Sequence, residues 1–194
     1  MTDSLWHLSL AEFRDRVASD APTPSCGAAA GVSASLGLSL ILKAIRIGSD
    51  PADVGTRGLI NEAATLHQQL STHADTDARV FQRFLKAEAP EMKGQAARDS
   101  VAIPLATAHS CREAMRLGER AAPYVKETMR SDVVAGVLLL GAALEAVLLN
   151  VRANLAQVDD DTERRTLAER CRTLQADADQ IRSGLTTNES GPTG

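Results

Sequence analysis

Residues 131–155 read SDVVAGVLLLGAALEAVLLNVRANL, an apolar run that opens on Ser131 and Asp132 and closes with Asn150 and Asn154. Apart from Glu145, residues 133–149 carry no charge. That stretch falls short of the roughly 20 apolar residues that cross a bilayer as a helix. A helix buried on several sides within a bundle accounts for it better, and no membrane partner is expected. The run therefore demands a helical protein with enough other helices to enclose it.

The remaining sequence supplies them. Alternating apolar and polar runs are absent, as are Asn-Gly or Asp-Gly turns between apolar segments, while a 3.6-residue period recurs throughout. Aromatic residues make up only 3% of the 194 residues against 44% hydrophobic overall, so the core must be built from Ala, Leu and Val. Such side chains suit close helix–helix packing. The net charge of −4 and the scattering of basic residues leave no electrostatic footprint for nucleic acid. Cys26, Cys111 and Cys171 are odd in number and far apart, which points to reduced thiols and a cytoplasmic protein. The N-terminus lacks the basic start and apolar run of a signal peptide.

Ser9 and Glu12 form a capping box at the start of a first helix, with Leu8 and Phe13 placed as a hydrophobic staple. A Pro-rich turn over residues 19–31 leads into a second helix, from about Gly27 to Ile47. Asp50-Pro51 is expected to start a third helix. Asp75 or Thr76 is expected to start a separate short one ending near Lys86. A further helix runs from about Lys93 to Lys126, and Pro104 inside it is expected to kink or split it. Ser131 or Asp132 caps the apolar helix, which extends to about Val158. Asp161 opens the last helix, and Gly184 stops it. The chain thus reads as one all-α domain, a single-domain helical bundle over residues 1–184, followed by a disordered tail over residues 185–194.

On a helical wheel Asp132 and Asn150 fall at the same angle, with Asn154 about 40° away. Gly136, Ala143 and Ala146 share that face, which reads as the lining of a groove. Asp132 and Asn150 are nevertheless about 27 Å apart along the axis. They serve different sites, or a second subunit brings its acid to the amides of the first. Asp132 as a helix cap, and the asparagines as partners of neighbouring backbone, are the plainer alternatives. Cys26 beside a helix start is either a reactive thiol of lowered pKa or a small buried one. His109 and Cys111 point about 200° apart, and His67 and His73 diverge similarly, so no metal site is expected.

The run from Ser131 to Leu155 resembles the SD…A…A…NV..N signature of the cyclodeaminase/cyclohydrolase family. That family includes methenyltetrahydrofolate cyclohydrolases and the deaminase part of formiminotransferase-cyclodeaminase. The resemblance extends upstream in the same order: LSLAEFRDRVASDAPTPSCGAAAG matches the opening helix and glycine-rich turn. DARVFQRFLKA, from Asp77, and IPLATAHSCREAMRL, with Pro104, match two further helical segments. It implies a dimeric helical bundle acting on a one-carbon tetrahydrofolate, bound as substrate with no further cofactor. The implied reaction is hydrolysis of the methenyl bridge, or closure of a formimino adduct with loss of ammonia. Carried over residue by residue, Asp132 and Asp77 are the acid/base candidates. Ser131, Asn150 and Asn154 are candidates for binding the folate, and Pro24, Ser25, Cys26 and Gly27 form the turn that passes close to it.

Two departures stand out. Ser25 and Cys26 replace glycines of the family turn, which narrows the site or bends the turn if those glycines supply positive φ. IGSDPADVGTRG lacks the lysines and tyrosine found after the family's second helix, for which Lys43 or Arg46 are the available substitutes. A paralogue that binds a folate or a protein partner without turnover is the alternative these losses raise.

Overall fold

A computed structural model describes residues 4–50, 52–86 and 90–187. Among these the chain is helical and contains no strand. The α-helices are α1 (Leu10–Val17), α2 (Cys26–Gly48), α3 (Val54–Lys86), α4 (Pro90–Ala121), α5 (Arg130–Asn154) and α6 (Asp161–Thr187). Helices α2, α3, α4 and α5 form a four-helix bundle, with α2 against α5 and α3, and α4 against α5 and α3. Helix α6 lies across α4 and α5. The core is aliphatic and small, with Leu38, Ile41, Ile45, Leu70, Met115, Leu140, Leu144 and Leu148 fully buried.

The capping box is present: the Ser9 hydroxyl accepts from the Glu12 N–H, and the Glu12 carboxylate accepts from the Ser9 N–H at 2.8 Å. Other helix boundaries differ from the sequence reading. Helix α3 begins at Val54, where Asp53 accepts from the Thr56 N–H, while Asp50 accepts from the Ala52 N–H. Pro51 lies outside the described residues. Helix α3 then passes uninterrupted through Asp75 and Thr76. Asp75 spends its carboxylate on the N-terminal segment, accepting from the Ser4 hydroxyl at 2.6 Å and the Leu5 N–H at 2.8 Å. Helix α5 starts at Arg130 without a side-chain cap and gives way to a 3₁₀ turn at Leu155–Gln157. Helix α6 opens at Asp161 with Asp160 as its acceptor, and it runs through Gly184 to Thr187. Leu185, placed in the tail by the sequence reading, is buried in the core; residues 188–194 of that tail lie outside the described residues.

The small-residue face of α5 is not an open groove. It packs on α2, which runs antiparallel to it. A Cβ built on Gly136 would stand 2.5 Å from the Gly37 carbonyl oxygen, and one on Gly37 would stand 2.8 Å from that of Gly136. Ser35 and Ser39 of α2 hold the His67 Nε2 of α3 at 3.0 and 3.2 Å, tying the second pair of helices.

Pro104 is buried in the middle of a continuous α4 rather than at a break. Lacking an N–H, it leaves the Ser100 carbonyl without its usual intrahelical donor. The Asn154 side-chain amide of α5 donates to that carbonyl at 3.0 Å. Asn154 therefore has the backbone-satisfying role, compensating for the proline. Asn154→Leu should cost about 0.5–1.5 kcal/mol, the range for loss of one intramolecular hydrogen bond. In a Pro104→Ala background, where the new N–H serves Ser100, the cost should fall below half of that. Urea denaturation of the four proteins of this cycle measures it; equal costs in both backgrounds would refute the compensation.

Candidate functional site

The antiparallel α2–α5 pair divides the sequence-derived residues between two ends of the bundle. At one end Ser25 precedes α2 with φ −90° and ψ −177°, and no described residue outside glycine has positive φ. The turn therefore needs no left-handed residue at Ser25 or Cys26. Both side chains instead make contacts. The Ser25 hydroxyl donates to the Asp77 carboxylate of α3 at 2.7 Å. The Cys26 thiol reaches the Ala146 carbonyl of α5 at 3.7 Å.

Gly27 is the glycine that this turn does require. A Cβ there would lie 2.2 Å from Asp77 Oδ1 and 2.5 Å from its Cγ. The missing side chain lets a buried carboxylate sit directly against the first turn of α2. Asp77 is only 8% exposed. Burial pushes its carboxyl above the ordinary value of 3.8, opposed by hydrogen bonds from Ser25 and the Ala28 N–H. Cys26 is exposed, against the expectation of a small buried thiol, and its thiol is pushed up, by partial burial and by the Asp77 charge, opposite to the lowered pKa of a reactive thiolate. Asn150 is half-buried one turn beyond Ala146, at the same end. Its amide has no hydrogen-bond partner among the described residues. Pro24 has a different setting, lining a cavity of about 330 Å³ with Thr23, Arg16, Asp75, Arg79 and Gln82.

Ser131 and Asp132 stand at the other end of α5. Ser131 is exposed, and Asp132 accepts from Lys43 Nζ of α2 at 2.7 Å. Lys43, one of the two substitutes for the absent lysines, is thus joined to an acid candidate; Arg46 is exposed and forms no salt bridge among the described residues. Sequence reasoning named Asp77, Ser25 and Gly27 but not their mutual contact, which joins positions 50 or more residues apart. His109 is exposed and Cys111 fully buried, in line with their divergent directions on α4.

The buried Asp77 carboxylate thus sits against the start of α2 within an all-helical bundle. The chain belongs to the formiminotransferase-cyclodeaminase family, whose profile matches residues 9–173. It is 28% identical over 192 residues to the formimidoyltransferase-cyclodeaminase of Sus scrofa, covering 90% of this chain but 36% of that protein. It spans, in other words, about a third of the pig protein's length. It is 27% identical over 165 residues to a methenyltetrahydrofolate cyclohydrolase of Methylorubrum extorquens, covering 76% of this chain and 79% of that one. The fold matches the crystal structure of formiminotetrahydrofolate cyclodeaminase from Thermotoga maritima with a TM-score of 0.87 at 20% identity. That match covers 94% of this chain and 96% of the other.

The raised carboxyl has a measurable consequence. The folded protein binds the Asp77 proton more tightly than the unfolded chain does. The stability associated with this group is therefore full below about pH 4 and is lost as pH rises through the folded-state pKa. Asp77→Asn, neutral throughout, should melt at a higher temperature than wild type at pH 7. The gap should close near pH 3. A variant that melts lower than wild type at pH 7 would show the charge to be net stabilising.

Proposed function

We propose that this protein hydrolyses 5,10-methenyltetrahydrofolate to 10-formyltetrahydrofolate, with Asp77 as the acid/base group. The observation that carries this reading is the buried Asp77 carboxylate, held by Ser25 and seated against Gly27 in the family's characteristic turn. The methenyl carbon is an amidinium centre bonded to N5 and N10, already electrophilic. Water adds to it as the Asp77 carboxylate takes the proton. The tetrahedral carbon then collapses to the formyl C=O, releasing N5, which receives the proton from Asp77; the hydroxyl proton leaves to solvent as the net proton of the reaction, and the formyl group stays on N10. A carboxyl with raised pKa suits both halves, being a stronger base and closer to working pH as an acid. The unpartnered Asn150 amide orients the pterin, and Arg16 and Arg79 beside the turn are cations suited to the folate carboxylates. Ring closure of a formimino adduct with loss of ammonia passes through the same tetrahedral carbon. It is the second reading, supported by the similarity to the pig enzyme.

Decay of methenyltetrahydrofolate absorbance, corrected for spontaneous hydrolysis, tests the proposal. Wild type should accelerate it, and Asp77→Asn should lower the rate about 100-fold or more while retaining its fold. Ammonia release from formiminotetrahydrofolate without methenyl hydrolysis would favour the second reading. Folate binding with neither turnover would leave a binding paralogue.

We further propose a homodimer formed through the outer face of α2 and α5. By length and composition both helices could span a membrane, against the shortfall expected from residues 133–149 alone, and only about half of each is buried in the bundle. Leu36, Leu139 and Leu149 stand 50%, 40% and 61% exposed, with Ile47 at 56%, on one two-helix face. An isologous contact centred between the ends of this face would bring the partner's Lys43 and Asp132 to the Asp77 end. That answers the 27 Å separation of acid and amides with a composite site. Light scattering should find a dimer for wild type and a monomer for Leu36→Glu/Leu139→Glu, the latter with turnover lost. A fully active monomer would sink the shared site.

A further inference from the structure

On the side of the bundle away from α2, helices α4 and α6 enclose an open cavity of about 590 Å³. His109 and Arg112 of α4 line it with Arg165, Glu169, Arg170 and Arg172 of α6, above Leu174. Four guanidinium groups thus face one carboxylate in a chain whose net charge is −4. Only Arg172 is neutralised from within the cavity, by its ion pair with Glu169.

Of the remaining cations, Arg112 is held in place by two carboxylates, while Arg165 and Arg170 are exposed at the rim and form no salt bridge among the described residues. Arg112 donates to Glu113 at 2.6 Å and to Asp177 at 3.1 Å, which fixes the plane of its guanidinium. Arg116 shares Asp177 at 3.2 Å, so that carboxylate is already divided between two arginines. The Arg112 Nε is buried with no acceptor. Burial, followed by the charges of Arg112 and Arg170, holds the His109 imidazole below its ordinary pKa, as a site of positive potential would. Like charges gathered around one cavity repel one another, and an anion seated among them relieves that cost. Planar guanidinium forks match the paired oxygens of phosphate and carboxylate groups.

We propose that this α4–α6 cleft binds a small multivalent anion, carrying either linked phosphates or several carboxylates, between Arg112, Arg165 and Arg170. The site is separate from the Asp77 turn and does not depend on the folate reading. Inorganic pyrophosphate and citrate, each titrated calorimetrically without divalent metal at about 0.1 M ionic strength, distinguish the two chemistries. At least one should bind saturably at one per chain. Arg165→Gln/Arg170→Gln should weaken it tenfold or more, without altering the melting temperature or methenyltetrahydrofolate turnover. Arg14→Gln/Arg57→Gln, an equal charge change elsewhere, should leave binding as in wild type. Failure of both anions to saturate, or equal weakening by the two double variants, would overturn the proposal and leave a solvated basic surface.

Discussion

The approach of α2 to α5 through Gly37 and Gly136 fixes the geometry on which both ends of the molecule depend. Each glycine faces the other's carbonyl at a distance that no Cβ tolerates, so a side chain at either position forces the helices apart. With the backbones this close, the antiparallel pair delivers the start of α2 to Ala146 and Asp77, and Lys43 to Asp132. The same closeness determines the outer surface. Backbone and small side chains make the contact, so the leucines beside them, Leu36 and Leu139, are left facing outward. One constraint thus builds the centre of the bundle and creates its apolar face.

Local signals in the sequence were sufficient wherever the competing partner was also local. The Ser9–Glu12 capping box, the start of α6 and the apolar α5 follow from neighbouring residues, and the structure contains all three. Asp75 carries the same local signature as a helix cap, yet α3 runs through it. Its carboxylate is engaged by Ser4 and Leu5, some 70 residues away in the chain, and no local pattern encodes that. Gly184 is a stop by composition, but burial of Leu185 against the core keeps α6 helical beyond it. Tertiary contact prevailed over propensity in each case.

The candidate site was legible as residue types and not as an arrangement. Asp77 and Gly27 were both singled out, but the reason for the glycine is a carboxylate from another helix. Ser25 and Cys26 looked like losses because a glycine turn suggests positive φ. The turn is in fact extended at Ser25, and its hydroxyl becomes a donor to the acid. A change that seemed to threaten the site therefore supplies one of its hydrogen bonds. Desolvation and that donor act in opposite directions on the Asp77 proton, with desolvation the larger. A charged acid here is costly to the fold, and the proposed base role draws on that same property.

Asn150 and Asn154 share one face on a helical wheel, yet the fold gives them different surroundings. Asn154 lies against Ser100 and fills the gap left by Pro104, so two features that looked unrelated in the sequence form one contact. A proline within a buried helix is normally a defect, because the carbonyl one turn earlier loses its donor. Here that carbonyl becomes an acceptor for the neighbouring helix, and α4 is fastened to the end of α5 by a directional bond in place of apolar contact. This bond lies one turn from Asn150, at the end of the bundle where Asp77 also sits. Holding the last turn of α5 in place also fixes the position of the Asn150 amide, which has no hydrogen-bond partner among the described residues. The plain structural role of Asn154 and the proposed ligand role of Asn150 are thus two parts of one arrangement, the first providing the rigidity that the second requires.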